Sequence, residues 1–280
     1  MAEHNPPEPD FSTAAVLIAA HGSPSSSGGR SATRKHAKNL AKLAPFSQVE
    51  AGFLSEKPYA SDVLDAMTAD KVYVVPNTAS DGFITREKLP AALGLTGRVS
   101  ERIGPSGRQQ VILTEAVGTH PLVAAILAEN ILSAVKGLDI DPSDTAVIVV
   151  GHGSTKGNAN AEQTNKVAAA LHQHGLDLPF ATAFLEQDPK VQNWRALTTA
   201  KTVVFAPFLI SEGFHATQDI PLAIGFDPSD EAFQAALAND QPVQMRLGKT
   251  RVIFLNPVGE SPQVADVILA RIKHARDALL

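Results

Sequence analysis

The same short motif closes two apolar runs of this chain, and the distance between its copies holds far beyond the motif. His21-Gly22-Ser23 follows one run, and His152-Gly153-Ser154 follows the other. The separation of 131 positions, from His21 to His152, then continues without a gap over roughly seventy residues, so chance is a poor explanation. The matched residues are Phe53-Leu54 and Phe184-Leu185, Pro58 and Pro189, Val72 and Val203, Pro76 and Pro207, Gly82-Phe83 and Gly213-Phe214, and Pro90 and Pro221. We interpret the chain as a tandem duplication, whose halves are expected to face each other across a cleft.

Strand-like and helix-like segments alternate in both halves. Near-continuous Val and Ile runs are typical of parallel strands buried on both faces, and their alternation with helices predicts a doubly wound α/β sheet in each half. The predicted strands are Ala14–Ala20, Gln48–Phe53, Lys71–Pro76, Gln110–Thr114, Thr145–Gly151, Phe180–Phe184, Thr202–Pro207 and Arg251–Leu255. The predicted helices are Arg30–Ala44, Ala60–Met67, Pro121–Val135, Ala159–Gln173, Val191–Thr198 and Pro262–Leu279.

A chain of 280 residues suits two domains of ordinary size, each able to bury its own core. We place an N-terminal repeat at residues 14–137 and a C-terminal repeat at 143–280, joined by a Gly- and Pro-containing linker. Residues 1–13 are predicted to be a disordered leader. Val117-Gly118 and Val258-Gly259 also correspond, but at a larger separation, so the second half carries about ten extra residues after Pro221. We expect a surface loop there, with a lid as the alternative.

The composition removes several classes of function. The chain contains no cysteine, which excludes disulfides, zinc–thiolate sites and iron–sulfur ligation, so any metal must be held by imidazole or oxygen ligands. A net charge of −5 without a long basic run argues against nucleic acid as the main partner. No run approaches the roughly 18 apolar residues of a membrane helix, so no membrane partner is expected. The polar start of the chain does not resemble a signal peptide, which favours a cytoplasmic protein.

Polar side chains follow three consecutive strands of the second half. His152 comes directly after the first strand, Glu186 lies just past the second, and His215 lies eight residues beyond the end of the third. Ligands of open α/β sheets bind beyond the carboxyl ends of the strands. A single histidine there is more often a turn residue, but three such side chains at equivalent strand ends favour a functional site. Imidazole and carboxylate ligands suit Fe²⁺, Co²⁺ or Ni²⁺, and the same groups could accept protons near neutral pH.

The first half keeps the backbone-shaping residues of this site and lacks its chemistry. His21 is equivalent to His152, but its two companions are replaced. Ser55 replaces Glu186 and Ile84 replaces His215, and at a third position Lys88 replaces Asp219. We therefore place the site in the second half, and we treat His21, Ser154 and Asp219 as possible residues of the cleft wall. Asp219 could hydrogen-bond to His215, as partners of metal-binding histidines do.

The segment from Pro207 to Pro221 is the densest signature of the chain, reading Pro-Phe-Leu, Gly-Phe-His and Asp-Ile-Pro in order. Together with the strand ending in His-Gly-Ser, the Phe-Leu-Glu after the second strand and the Val-Gly near each last helix, it resembles the class II tetrapyrrole chelatases of the sirohydrochlorin chelatase group. The resemblance spans about Ala14 to Leu279. It implies insertion of Co²⁺ or Fe²⁺ into sirohydrochlorin without ATP, a step of cobalamin or siroheme biosynthesis, and long members of the family fuse two repeats.

By motif, the resemblance implies that His152 and His215 are the paired histidines of the family and that Glu186 is its glutamate. Long members commonly keep the full histidine pair in the first half, whereas Ile84 breaks that pair here. The second half is complete instead, which resembles the related ferrochelatases. The resemblance therefore predicts two similar parallel-sheet domains of the chelatase type with one retained site.

We expect a metal-inserting lyase whose substrates are a tetrapyrrole and a divalent metal, with no tightly bound cofactor. His152 and His215 would hold the metal or accept pyrrole protons, and Glu186 would balance the charge. Because these roles need neutral imidazole, activity is expected to fall below about pH 6.5, the reference pKa of histidine. A monomer is expected, since fused repeats can replace a dimer. The alternatives are a non-catalytic tetrapyrrole or metal carrier, and chelation of another tetrapyrrole such as protoporphyrin; the sequence does not choose between Co²⁺, Fe²⁺ and Ni²⁺.

Overall fold

The computed structural model describes residues 10–22, 28–155, 157–210 and 215–279. The strands are β1 (Ala14–Ala20), β2 (Gln48–Phe53), β3 (Lys71–Pro76), β4 (Val99–Gly104), β5 (Gly107–Leu113), β6 (Thr145–Gly151), β7 (Phe180–Phe184), β8 (Thr202–Pro207), β9 (Val243–Leu247) and β10 (Thr250–Phe254). The α-helices are α1 (Gly28–Leu43), α2 (Ala60–Ala66), α3 (Leu89–Ala92), α4 (Leu122–Gly137), α5 (Ala159–Ala170), α6 (Ile220–Ile224), α7 (Glu231–Ala238) and α8 (Val264–Asp277). No helix in these ranges is long and apolar enough to cross a membrane.

Each half forms one five-stranded sheet, and the two sheets have the same topology. The strand orders are β2-β1-β3-β5-β4 and β7-β6-β8-β10-β9. Strands β1, β2, β3 and β5 pair in parallel, as do their counterparts in the second sheet. The predicted α/β fold with two similar sheets is confirmed. The bounds of β1, β2, β3, β6, β7 and β8 agree with the predicted ones to the residue.

One edge of each sheet carries an antiparallel strand in addition to the predicted parallel strands. Strands β4 and β9, which the sequence analysis does not include, pair antiparallel with β5 and β10. Both alternate exposed and more buried positions, as an edge strand with one solvated face does. Residues 243–247 alternate apolar and polar side chains, which is the signal that would identify β9, whereas residues 99–104 have no such alternation.

Two predictions about the second half also need correction. The predicted helix 191–198 is a kinked 3-10 segment, Val191–Ala196. The extra residues after Pro221 are not a loop on the surface, because they include the helix α7. Its Phe233 is buried and lies 5.6 Å from the ring of Phe226 and 6.1 Å from that of Phe254. The insertion therefore extends the core on the outer face of the second sheet.

The two halves share one central core, in addition to the smaller core that each half has of its own. A single apolar cluster contains residues from the inner faces of both sheets and from the helices between them. Its members include Val16 and Tyr73 of the first sheet, Val147 and Val204 of the second, Ile131 of α4 and Ile268 of α8. The outer face of each sheet has a separate, smaller cluster. Because the central cluster is continuous, the relative placement of the halves is fixed by core packing.

The interface between the halves repeats itself, as expected of a duplicated chain. Helix α1 packs on α8 in one part of it, and α5 packs on α4 in the equivalent part. The carbonyl oxygen of Gly259 accepts a hydrogen bond from His36 Nε2 at 2.7 Å, and that of Gly118 accepts one from Gln163 Nε2 at 3.0 Å. Each equivalent glycine is thus tied to the first helix of the opposite half.

One contact of this interface has no equivalent in the other part. Arg271 of α8 is almost fully buried, and its Nη1 lies 2.5 Å from Glu115 Oε2 in the first half. Its guanidinium also donates to the carbonyl oxygen of Ala116 and to Thr119 Oγ1. The equivalent positions hold Asn130 and Asn256. Burial lowers the pKa of the Arg271 guanidinium, and the Glu115 carboxylate opposes this effect.

The predicted leader also requires a correction at its C-terminal end. Residues 1–9 lie outside the described part of the chain. Phe11, by contrast, is buried, stacks on Phe46 at 5.0 Å and meets the ring of Tyr73 edge-on at 6.0 Å. An apolar anchor of this size belongs to the core of the first half, so the ordered fold begins before Ala14.

The Arg271–Glu115 contact generates a stability prediction. Glu115→Gln leaves a buried guanidinium without its carboxylate, which should lower the free energy of unfolding by about 2 kcal/mol. Urea unfolding followed by circular dichroism measures the change. Glu101→Gln is the matched control: its partner Arg108 is solvent-exposed, so we expect the urea midpoint to stay at the wild-type value. Equal midpoints for all three proteins would show that the contact does not stabilise the interface.

His36 generates a second prediction, on the pH dependence of stability. Burial lowers the pKa of His36 to about 4, and its Nδ1 has no hydrogen-bond partner. The unfolded chain therefore binds more protons than the folded one between about pH 6.5 and pH 4, so stability falls as pH drops through this window, by about 3 kcal/mol. His36→Gln retains a donor for Gly259 and cannot titrate, so its unfolding free energy should depend less on pH there. Parallel slopes for both proteins in urea titrations would refute this origin.

Candidate functional site

A cleft of about 520 Å³ lies between the two repeats, beyond the carboxyl ends of the central strands. Both sheets end here because β1 and β6 occupy equivalent positions in them. The first half contributes His21, Asn77, Thr78, Ala79, Ser80, Gly82, Phe83 and Ile84, and the second contributes His152, Gly153, Ser154, Gly157, Ala159, Asn160, Glu186, Leu209 and Ile210. The cleft therefore brings together four of the residues that the sequence singles out: His21, His152, Ser154 and Glu186.

The His-Gly-Ser turn of the second half is held by the residues around it. Gly153 has a φ of +74°, a conformation that favours glycine, and an added Cβ would lie 2.8 Å from Gln187 Cγ. Its amide donates to Asn160 Oδ1 at 2.8 Å, and the amide of Ser154 donates to Gln187 Oε1 at 2.9 Å. The sequence analysis missed Asn160 and Gln187. Gln187 directly follows Glu186 at a strand end, which is the signal that could have identified it.

His152 and Glu186 lie side by side at the end of β6 and β7. The backbone amide of Glu186 donates to the carbonyl oxygen of His152 at 2.9 Å, which holds the two residues in register. His152 Nδ1 lies 3.9 Å from Glu186 Oε2, and both side chains are partly exposed to the cleft. His152 Nδ1 is also 3.0 Å from the carbonyl oxygen of Gly153. Because a carbonyl can only accept, this contact favours a proton on Nδ1 and leaves the lone pair on Nε2.

The third predicted ligand, His215, is only partly described by the structure. The backbone of His215 begins a π-helical turn, His215–Asp219, but its side chain and residues 211–214 lie outside what the structure describes. The equivalent turn of the first half, Ile84–Lys88, is also π-helical. Such turns are rare and are frequent at functional sites. In the described part of the chain, no three His, Asp or Glu side chains form a group that could hold a metal ion. The trio of His152, Glu186 and His215 therefore stays a prediction.

His21 lies on the opposite wall of the same cleft. Its Nδ1 is 3.4 Å from the hydroxyl of Ser55, the residue equivalent to Glu186. Burial lowers the pKa of His21, and the positive charge of Lys88 lowers it further. The His21 imidazole is therefore neutral at neutral pH and retains a lone pair that can accept a proton. The cleft thus combines a carboxylate and an imidazole on one wall with a second imidazole on the other.

Two comparisons of sequence identify relatives of the chain. A family model described as CbiX matches it twice, over residues 15–134 and 146–275. A probable sirohydrochlorin cobaltochelatase of Halobacterium salinarum is 26% identical over 274 residues, covering 93% of this chain and 91% of the relative. A sirohydrochlorin cobaltochelatase of Methanothermobacter thermautotrophicus is 24% identical over 133 residues, which are 46% of this chain and 91% of that shorter protein.

Solved structures have the same fold. A CbiX described as the terminal enzyme for biosynthesis of siroheme in denitrifying bacteria superposes with a TM-score of 0.66 at 26% identity, over 93% of this chain and 98% of that one. A multi-domain protein of Deinococcus radiodurans with structural similarity to chelatases gives 0.71 at 24% identity, over 93% of this chain and 55% of that longer chain. The cobalt complex of the sirohydrochlorin chelatase SirB from Bacillus subtilis subspecies spizizenii gives 0.59 at 16% identity, over 94% of this chain and 95% of that one. Because the family model matches both repeats, the chain belongs to the CbiX family.

Proposed function

We propose that this protein inserts a divalent metal, Co²⁺ or Fe²⁺, into sirohydrochlorin or a closely related tetrapyrrole, without ATP and without a tightly bound cofactor. The observation that carries the proposal is the pair His152 and Glu186 in a cleft between two CbiX repeats. The relatives named above as sirohydrochlorin cobaltochelatases support the choice of macrocycle. The tetrapyrrole and the metal ion are both substrates in this proposal.

Insertion requires two kinds of help from the protein, because the metal must leave its water shell and two pyrrole N–H protons must be removed. Nε2 of His152 offers a neutral nitrogen for the metal, and Glu186 offsets part of the ion's charge. His215 enters the proposal from the sequence alone, since it occupies the position equivalent to Ile84, which lines the cleft. His21, kept neutral by burial and by Lys88, can accept a proton from the other wall.

The proposed ligands do not select one metal among the divalent transition metals. Imidazole and carboxylate without thiolate suit Co²⁺, Fe²⁺ and Ni²⁺ alike. A chelatase also needs weak holding, because an ion that is bound too tightly would not transfer to the macrocycle. We further propose that the protein works as a monomer, since the two repeats of one chain form both walls of the cleft.

The proposal predicts an asymmetry between the two histidines of the repeated motif. His152→Ala should lower kcat/KM for Co²⁺ insertion by roughly 100-fold or more, because it removes a metal-holding or proton-accepting group. His215→Ala is expected to have an effect of similar size. His21→Ala should cost less than about 10-fold, since Ser55 and Ile84 leave His21 without a Glu or His companion. The measurement is the absorbance change of sirohydrochlorin on insertion, with thermal melts as a check of folding.

Each outcome of this assay has a consequence. Equal losses for His21→Ala and His152→Ala would contradict a site confined to the second half. A folded His152→Ala protein with wild-type turnover would contradict the site itself. A wild-type protein that binds sirohydrochlorin without accelerating insertion would be a carrier, and faster insertion into protoporphyrin than into sirohydrochlorin would change the substrate.

The weak site predicts reversible metal binding that does not support folding. Co²⁺ added to the protein without macrocycle should bind at His152 and be removed by a chelator, and His152→Ala should abolish this binding. Because a substrate ion supplies no folding energy, the melting temperature should be the same with and without chelator. Anomalous scattering from a Co²⁺-soaked crystal locates the ion. Binding only elsewhere, or unfolding by chelator, would contradict the prediction.

A further inference from the structure

One large apolar side chain is exposed inside the cleft. Phe83 is 62% exposed and belongs to the wall that the first half contributes. Other large apolar side chains of the described residues are also exposed, among them Ile103 and Leu222, but none of those lines the cleft. An aromatic ring exposed in a concave site offers apolar area that a bound ligand can cover.

The backbone beneath Phe83 is tied down, so its exposure does not come from a loosely held loop. Thr85 is buried, and its hydroxyl contacts the carbonyl oxygen of Ser80 at 3.0 Å and the hydroxyl of Thr78 at 2.8 Å. The amide of Arg86 donates to the carbonyl oxygen of Gly82 at 2.9 Å, across the position of Phe83. Phe83 itself has a helical backbone conformation directly before the π-helical turn. A side chain fixed outward in this way is preorganised for contact.

The surroundings of Phe83 define the chemistry of what it can cover. Ile84 and Ala79 lie in the same wall, and Leu209 and Ile210 add apolar surface from the second half. These apolar residues line the cleft together with polar groups, among them His152 and Glu186 from the other repeat and His21 from the wall of Phe83. A ligand that satisfies both sets needs a broad apolar face and a centre that exchanges protons or binds a metal. A flat conjugated macrocycle has both.

We infer that Phe83 is a positioning residue that packs against the face of the tetrapyrrole ring in the cleft. Ile84, which occupies the position equivalent to His215, extends this apolar wall. The inference rests on the proposed function for the identity of the ligand. Phe83 acts on binding of the macrocycle, because it has no group that could hold a metal or move a proton. It thereby favours macrocycles with an accessible ring face over small metal chelates.

The test compares Phe83→Ala and Phe83→Trp with Ile103→Ala as the matched control. Ile103 is 79% exposed on the edge strand β4 and is not part of the cleft wall, so its variant removes exposed apolar surface elsewhere. Titration of each protein with sirohydrochlorin in the absence of metal gives Kd from the absorbance change. We expect Phe83→Ala to raise Kd about 10-fold or more, Phe83→Trp to stay within about 3-fold of wild type, and Ile103→Ala to match it.

Two further readouts separate positioning from a structural role. The loss of kcat/KM in Phe83→Ala should lie mainly in KM for the macrocycle, and its Co²⁺ affinity without macrocycle should match that of the wild type. A Kd for Phe83→Ala within 2-fold of wild type, or a loss confined to kcat, would overturn the inference. Wild-type protein that binds sirohydrochlorin without inserting metal overturns the proposed function alone, whereas wild-type protein that binds no tetrapyrrole overturns both.

Discussion

The packing of both sheets on one central core is the constraint on which the rest of this molecule depends. Val16 and Tyr73 from one sheet share a continuous apolar cluster with Val147 and Val204 from the other, through the helices between them. Two sheets fixed in this way present the ends of their central strands to a common space. The cleft is therefore a product of core packing, and its walls cannot move apart without exposing apolar surface to water.

The two repeats contribute different side chains to the cleft. The second half holds a carboxylate and an imidazole, which suit an ion and its protons, whereas the first half offers Phe83 and Ile84. In the first half, burial and the positive charge of Lys88, the residue equivalent to Asp219, lower the pKa of His21. A positive charge near His21 disfavours a metal ion there, so the equivalent ends of the two repeats differ in the charge that they present.

Much of the fold could be predicted from the sequence because buried parallel strands leave a strong signal. Runs such as Thr145–Gly151 are buried throughout, and the bounds of six strands agree with the prediction to the residue. The edge strands β4 and β9 were not predicted because only one of their faces is buried, which leaves a weak alternation in β9 and none in the sequence of β4. The helix α7 could not be predicted because the insertion has no counterpart in the first half. Its short apolar pattern becomes informative only when the packing of Phe233 against Phe226 and Phe254 is known. The juxtaposition of His152 and Glu186 could be predicted because each follows one of two neighbouring parallel strands. The hydrogen bonds that hold the amides of Gly153 and Ser154 could not be predicted, because their partners depend on turn geometry.

The contact of Arg271 with Glu115, which has no equivalent in the other part of the interface, affects how the repeats can assemble. A second half that paired with its own copy would bring Arg271 against Asn256, and both buried guanidinium groups of the resulting assembly would lose their carboxylate. Two first halves would bring Glu115 against Asn130 and bury no cation at all. Only the mixed pair is electrically matched, so this interface favours the pairing of a first half with a second half over either symmetric pair. One charge pair thus gives the two repeats different and complementary surfaces.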